Sequence, residues 1–319
     1  MTLYRDIISK ALVISWRHKF LWFLAFFAAL AGNGGELELV FSGSDSVNGQ
    51  SYVLGVLRAF YENGTLQQIT ANVREFFGAY PLPSVFLVVL LVLLFVLLVW
   101  IIIVAQAALV WALAQLRDAK PVHFPTAFGH GMKLFSPIFL LNLVTKAIVL
   151  GIIFLVALPL GLAYIRTGGE TYNALYILTV YFALVPVSIV LSFIVKYASV
   201  YAVVHNQPWR TALKQGWLLF LNNWLVSVEL AVILFVINAV VSLLLVFPLV
   251  IIGLTSSPVG AMLFFALLFM LGALLSTFQY GVWVLLFSSL EAGTVRAKLV
   301  RWADRVTGRG TTPPAPATK

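Results

Sequence analysis

The chain has 319 residues, of which 62% are hydrophobic and 10% are charged, and its formal net charge is +9. Soluble domains carry about 25% charged residues, so this chain has too few polar side chains to cover a water-exposed surface. It contains no cysteine, which excludes disulfides, thiolate metal sites and thiol nucleophiles.

Residues 1–19 carry apolar side chains at helical spacing and are predicted to form an amphipathic helix in the cytoplasmic membrane interface. The apolar segment that follows, Phe20 to Ala31, would make only about 18 Å of helix. Two interpretations of it stay open. It is either a short span at about 17–32, with nearby basic side chains reaching the headgroups, or the apolar part of a cleaved signal peptide that ends in Ala29-Leu30-Ala31.

Residues 33–83 are predicted to form a long outer loop with two short amphipathic helices, around "YVLGVLRAFYENG" and "LQQITANVREFF". The remaining apolar stretches are long enough to cross the hydrocarbon core, which takes about 20 residues. They predict spans at 84–116, 137–165, 174–204, 217–254 and 259–290. The composition of residues 305–319 predicts a disordered cytoplasmic tail, so the predicted six-helix membrane domain covers 20–304.

A short pattern precedes the first, third and fifth spans. Its copies are "ALVISW" (11–16), "AFGHGM" (127–132) and "ALKQGW" (212–217). All three fall at the same topological position and lead into a spanning helix, which indicates an internal repeat. We therefore expect an all-α fold: a polytopic integral membrane helical bundle of about six transmembrane helices in three hairpin units, each preceded by an amphipathic interfacial helix.

The distribution of basic residues predicts the orientation of the bundle. Fifteen lysines and arginines flank the spans on one side, and three lie on the other. Both termini are therefore expected to be cytoplasmic, in a multi-pass protein of the bacterial inner (cell) membrane. The basic rim would attract anionic lipid headgroups. No nucleic-acid partner is expected, because the basic residues are divided among short segments without a binding motif.

Several polar side chains lie inside the predicted spans, where an ionised residue costs about 2.5–3.5 kcal/mol on insertion scales. Counted from the cytoplasmic ends of the spans, they share a depth of roughly 12–18 Å. We expect one buried polar layer in which Glu229 pairs with Lys146 or Lys196. In the alternative, the lysines extend separately to the headgroups and Glu229 is protonated. The candidate residues of the layer are Gln106, Asn142, Lys146, Lys196, Glu229 and Gln279.

Two stretches carry a resemblance to a known family: "KYASVYAVVHNQPWRTALKQGWLLFLNNW" (196–224) and "SKALVISWRHKFLWFL" (9–24). They resemble the bacterial glycerophosphoryl diester phosphodiesterase membrane domain family and its uncharacterised six-helix relatives. The resemblance implies a six-helix bundle anchored from the cytoplasm. In the enzymes of that family, catalysis belongs to a separate soluble barrel domain. No such domain is expected in this chain, so the resemblance does not imply phosphodiesterase activity.

The sequence contains no H-E-x-x-H, G-x-S-x-G, P-loop or G-x-G-x-x-G motif. Its four histidines have no acid or thiol at ligand spacing, so no catalytic residue, metal or cofactor is expected. The expected function is a non-catalytic membrane scaffold or assembly partner, with membrane lipids and other membrane proteins as partners. The alternative is a small permease or lipid-handling transporter that uses the buried polar layer.

Overall fold

The structure is a computed structural model that describes residues 3–31, 65–152, 185–246 and 258–293, with isolated positions between 154 and 182. Within those ranges the chain is all-α, without a strand. The described helices are α1 (Leu3–Arg17), α2 (Phe20–Ala29), α3 (Thr65–Ala79), α4 (Pro81–Arg117), α5 (Phe124–Lys133), α6 (Phe135–Ile152), α7 (Val185–Val204), α8 (Trp209–Val241) and α9 (Pro258–Glu291). A π-helical turn, Ser242–Val246, extends α8.

Five of the described helices are long and apolar enough to cross a membrane: α4, α6, α7, α8 with its π-helical turn, and α9. α1 and α2 meet the same criterion only as a pair, joined by a bend of 109°. By itself α2 has 10 residues, about 15 Å of helix, which is half the thickness of the hydrocarbon core. The predicted all-α polytopic bundle is confirmed, and the described residues include five helices that could span the membrane, or six spans if the bent pair is one.

α2 belongs to the packed interior of the bundle. The helix contacts both α4 and α9, and the hydroxyl of Ser276 in α9 donates a hydrogen bond to the carbonyl oxygen of Ala25 at 3.3 Å. Its fully buried side chains are Leu21, Leu24, Ala25 and Ala28. Removing α2 would expose the faces of α4 and α9 that it covers. The two interpretations of this segment, a short span and the apolar part of a cleaved signal peptide, stay predictions.

Three short helical segments occupy equivalent places in the fold: α1, α5 and the part of α8 that precedes a kink at Asn223. α1 packs on α9, α5 packs on α4, and the first part of α8 packs on α7. The first unit comprises α1–α4, the second α5–α7 and the third α8 and α9. Each segment thus contacts the last span of another unit, and for α5 and α8 that unit is the preceding one. Because α1 packs on α9, the last of the described helices, the three units form a closed ring.

The packing of these segments explains the recurring sequence pattern. In every copy, the alanine and the serine or glycine four residues later face a span, and the large residue that follows faces outwards. The buried positions are Ala11, Ser15, Ala127, Gly131, Ala212 and Gly216. The exposed large residues are Trp16, Met132 and Trp217. Small residues four apart allow two helix backbones to approach closely, as at many helix contacts in membranes.

Gly131 and Gly216 mark the closest of these approaches. A Cβ atom at Gly131 would lie 2.5 Å from the carbonyl oxygen of Val104 in α4, and one at Gly216 would lie 2.8 Å from the backbone nitrogen of Ala198 in α7. Neither position accepts a side chain unless the helices move apart. The equivalent contact of α1 is looser, since a Cβ atom at Gly281 of α9 would lie 3.5 Å from the Ala11 Cβ.

The kink in α8 at Asn223 marks the end of the short segment that packs on α7, and the three short segments are called the interfacial segments below. Asn223 has non-helical dihedral angles (φ −133°, ψ 27°), and its side-chain amide donates to the carbonyl oxygen of Leu219 at 3.1 Å. The break between α5 and α6 at Leu134 takes the corresponding place in the second unit. The predicted span at 217–254 therefore includes, at its start, one and a half turns of helix that lie before the kink.

The two halves of α4 differ in their surroundings. Large apolar side chains from Val85 to Leu98 are all exposed, whereas the residues from Ile102 to Ala114 are buried except Trp111, which is half-buried. The core of the bundle therefore lies around the second half of α4, together with α1, α2, α5 and parts of α6, α7, α8 and α9.

Some predicted segments lie outside the described residues. They include most of the outer loop 33–83 with the first of its two helices, parts of the spans 137–165, 174–204 and 217–254, and the tail 305–319. The second predicted loop helix corresponds to α3, which leads directly into α4.

Candidate functional site

Gln106 and Asn142, two of the predicted layer residues, contact each other. They lie on α4 and α6, are 1% and 4% exposed, and the Asn142 Nδ2 atom donates to Gln106 Oε1 at 2.9 Å. The same nitrogen lies 2.9 Å from the carbonyl oxygen of Ile138 in its own helix. A buried polar group without a partner costs about 1–3 kcal/mol, so each amide lets the other remain in the apolar interior. The pair joins the first unit to the second.

Gln279 in α9 makes a similar contact with a residue that sequence reasoning missed. Its Nε2 atom donates to Asn238 Oδ1 in α8 at 3.1 Å. Asn238 is the single amide in the apolar run "FVINAVV". A lone polar residue in such a run could have indicated a buried hydrogen-bonding position. The contact fastens the two spans of the third unit to each other.

Glu229 is half-buried in α8, and its Oε2 atom accepts a hydrogen bond from the Tyr4 hydroxyl at 2.7 Å. Tyr4 lies in α1 and is 2% exposed. The kink at Asn223 explains how an interfacial helix reaches this carboxylate. Counted from the kink, Glu229 is only about 9 Å along the second part of α8, half the depth obtained by counting from Trp217. Sequence reasoning missed Tyr4 because it sought a partner only among the spans.

Lys196 in α7 lies against aromatic rings. Its Nζ atom is 4.7 Å from the ring centroid of Trp283 in α9 and 5.9 Å from that of Phe193. A cation over an aromatic ring is stabilised by about 0.5–2 kcal/mol, the larger values applying where water is excluded. This attraction offsets part of the cost of a charge within a span. Because Trp283 is 5% exposed, the contact also ties α7 to α9 in the interior.

Lys146 is not brought into the interior with the other candidates. It is exposed on α6, one turn beyond Asn142, because α6 contributes buried side chains only up to that asparagine. The structure thus distributes the remaining candidates over contacts between different pairs of helices. The pairing of Glu229 with one of the two lysines stays a prediction.

A pocket of about 420 Å³ opens where α7, α8 and α9 meet. The chain turns sharply between α7 and α8 with Asn206 in the left-handed region (φ 50°), a conformation that asparagine tolerates better than most residues. His205 Nε2 and Glu291 Oε1 lie 2.9 Å apart and link α7 to α9. The pocket is lined by Tyr201, His205, Gln207, Gln215, Leu218, Leu219, Asn222 and Glu291.

Two side-chain oxygens of these lining residues are fully buried, so they do not open onto the pocket, and they have no hydrogen-bond partner in the described part of the chain. They are the Oε1 atoms of Gln207 and Gln215. Gln215, Leu218 and Asn222 follow each other at three- and four-residue spacing and therefore share one face of α8. Sequence reasoning missed the pocket, because Glu291 of α9 is distant in the sequence from the lining residues between Tyr201 and Asn222.

Charged groups at the end of α4 lie near the pocket between α7, α8 and α9. Arg117 Nε donates to Asp118 Oδ1 at 2.7 Å, and this hydrogen bond holds the pKa of the Asp118 carboxyl below its ordinary value. The guanidinium also donates to the hydroxyl of Ser288 in α9, which lies one turn before Glu291. α4 and α9 are thereby connected close to the pocket.

Over the described ranges, no three histidine or acidic side chains come together as a set that could hold a metal ion. No protein-family model, curated protein or solved structure matches the chain, so the resemblance to the glycerophosphoryl diester phosphodiesterase membrane domain stays a prediction. The fold and its polar contacts define a class: this is an all-α, multi-pass membrane protein.

Proposed function

We propose that this protein is a non-catalytic scaffold, or assembly partner, in the inner membrane of a bacterium, with both termini in the cytoplasm. The observation that carries the proposal is how the buried polar residues are used. Gln106 bonds to Asn142, Tyr4 bonds to Glu229, and Lys196 lies over a tryptophan ring. Each contact joins two helices and fixes their positions, which a scaffold needs. A transporter instead needs polar groups that face a path for its substrate.

Two exposed surfaces support the same proposal. The first half of α4 leaves its apolar side chains uncovered, and α4 as a whole has 37 residues, about 55 Å of helix against about 30 Å of hydrocarbon. The interfacial segments carry exposed cations that would hold anionic headgroups, each contributing about 1 kcal/mol near an anionic surface. These cations are Arg5, Lys10, Arg17, Lys133, Arg210 and Lys214.

Reconstitution into liposomes tests the scaffold against the transporter alternative. A scaffold is expected to give no ion, small-solute or phospholipid flux above that of empty liposomes. In native membranes, a photo-crosslinker at Phe95, which is 66% exposed, should form a discrete product with another membrane protein. The matched control is a crosslinker at Leu109, which is buried in the same helix. A flux that disappears in folded Glu229→Gln would instead establish transport.

The proposed orientation has its own test, which the absence of native cysteine makes direct. Ala119→Cys, after α4, is expected to react only with reagents that reach the cytoplasm. Gly78→Cys, in α3 before α4, should react with impermeant thiol reagents added outside. Reversed labelling of the two positions would contradict the proposed topology.

A further inference from the structure

α3 is an amphipathic helix whose apolar face is rich in aromatic rings. Val73, Phe76, Phe77 and Tyr80 follow each other at the spacing that places side chains on one side of a helix. The centroid of the Phe76 ring lies 6.2 Å from that of Phe77 and 6.0 Å from that of Tyr80. The rings therefore form one continuous apolar surface along the second half of α3.

Within the described part of the chain, no element covers this surface. Its four side chains are between 39% and 59% exposed, and every other side chain of α3 that the structure describes is exposed as well. A contiguous exposed apolar patch marks a site of contact with a membrane or with another protein. The surface therefore needs a partner from outside the chain.

The position of α3 next to a span identifies the nearest apolar phase. Tyr80, with non-helical dihedral angles (φ −132°, ψ 66°), separates α3 from α4. Its N–H donates to the Phe76 carbonyl oxygen at 2.9 Å, and the Ser84 N–H donates to the Tyr80 carbonyl oxygen at 3.0 Å, so hydrogen bonds hold both sides of this corner. The unbroken apolar run of α4 begins at Val85, only about 7.5 Å of helix beyond Tyr80.

The first half of α4 is exposed and belongs to a helix that is long and apolar enough to cross the membrane. Lipid must cover it, and the apolar surface of α3 continues directly from it. α3 itself carries two charged residues, Arg74 and Glu75, whose charges cancel. Anionic headgroups therefore do not attract α3 as they attract exposed cations, and its contact with lipid rests on apolar and aromatic side chains.

We propose that α3 lies along the surface of the bilayer, with Val73, Phe76 and Phe77 inserted at the boundary between headgroups and acyl chains and with its opposite face in water. Helices of this kind bury their apolar face by about 5–10 Å. The insertion holds the start of α4 at a fixed depth, because the hydrogen-bonded corner at Tyr80 joins the two helices. The inference goes beyond the scaffold role and depends neither on it nor on the side of the membrane that α3 occupies.

Depth measurements on the full-length protein in phosphatidylcholine liposomes test the proposal. Because the chain has no cysteine, single substitutions can each carry a nitroxide spin label. Val73→Cys and Phe76→Cys label the apolar face, and Ala71→Cys and Glu75→Cys label the opposite face. Electron paramagnetic resonance compares how often each label collides with oxygen, which concentrates among acyl chains, and with a water-soluble nickel complex. Since a helix is about 10–12 Å across, the labels of the apolar face should lie roughly 10 Å deeper than the others.

Further substitutions assign this depth to the apolar side chains. In the protein labelled at Val73→Cys, adding Phe77→Gln should move the label towards water, because it removes apolar surface from the inserted face. Adding Glu75→Gln, on the opposite face, should leave the label where it was. Elution profiles check folding, and if the Phe77→Gln variant fails to fold, the four singly labelled proteins decide.

Four results would overturn the proposal. The first is an equal depth for both faces of α3. The second is spin–spin broadening at Phe76→Cys that disappears on dilution with unlabelled protein, because packed helices lie about 8–10 Å apart and a second copy would then cover the face. The third is shielding of the Val73→Cys and Phe76→Cys labels from both collision partners, which would place protein over them. The fourth is insertion that requires anionic phosphatidylglycerol, since apolar side chains would then not suffice.

Discussion

The tight contact between α5 and α4 can be measured by adding a single methyl group. In Gly131→Ala, the new Cβ atom would lie 2.5 Å from the Val104 carbonyl oxygen and 2.9 Å from the Ala108 Cβ, whereas ordinary contacts begin at 3.4 Å. The closest obstacle is backbone, which cannot rotate away as a side chain can. α5 must therefore move outwards by about 0.9 Å or deform, and forcing extra atoms into a packed site typically costs about 1–3 kcal/mol.

Gly129→Ala is the matched control, because Gly129 lies in the same helix and nothing is within 4 Å of its Cβ position. Both variants gain the higher helix propensity of alanine, about 0.8–1 kcal/mol. The difference between them therefore isolates the packing cost. At about 2.1 cal/mol/K of unfolding entropy per residue, a chain of 319 residues shifts its melting temperature by about 1.5 °C per kcal/mol, so Gly131→Ala should melt roughly 1.5–4.5 °C below Gly129→Ala.

The assay is thermal unfolding in detergent, followed by the loss of the monodisperse peak in size-exclusion chromatography. Gly216→Ala should behave like Gly131→Ala, since its Cβ atom would lie 2.8 Å from the Ala198 backbone nitrogen. Equal melting temperatures for Gly131→Ala and Gly129→Ala would refute the reasoning. The interfacial segment would then be held loosely against the span, and the repeated small residues would need another explanation.

Three further substitutions test the polar contacts by the same unfolding measurement. Tyr4→Phe should lower the free energy of unfolding by about 1.5–3 kcal/mol in the wild type but by much less in a Glu229→Leu background. If the losses of the two single variants simply add in the double variant, the residues are not in direct contact. Asn142→Leu should cost about 1–3 kcal/mol because it leaves the Gln106 amide buried and unmet, whereas replacing both amides by leucine should recover part of that loss. Lys146→Leu should change stability by less than about 0.5 kcal/mol, since the lysine is exposed on α6; a large loss would indicate a buried role.

The spans were the most predictable part of the fold, because lipid imposes a length and an apolar composition on every crossing helix. The second span, predicted at 84–116, is observed as Pro81–Arg117. The repeated pattern also identified the three interfacial segments. Each copy has to place a small residue against a span and a large residue outwards. The same residue types therefore recur at the same spacing in all three copies.

The candidate site was less predictable, since it depends on where helices bend and which helices are neighbours. The kink at Asn223 changes the depth of Glu229, and helical periodicity contains no sign of that kink. Tyr4 and Glu229 are 225 positions apart, and the pocket joins α7, α8 and α9. Only the tertiary arrangement brings such residues together.

The arrangement of units explains why polar residues remain in so apolar a chain. Lipid tails are as apolar as leucine, so apolar packing alone discriminates poorly between one helix neighbour and another. Polar contacts occur at each border between units. Gln106–Asn142 joins the first unit to the second, and Tyr4–Glu229 joins the third to the first.

The remaining border, between the second and third units, has the same kind of contact. The hydroxyls of Tyr197 in α7 and Ser227 in α8 lie 2.6 Å apart in the interior, one residue along from Lys196, whose ammonium lies over Trp283 of α9. A shift of one unit against its neighbour would leave these groups buried without partners, at about 1–3 kcal/mol each. Polar residues therefore specify the order of the ring, while the small residues of the interfacial segments let its members approach closely enough to form these contacts.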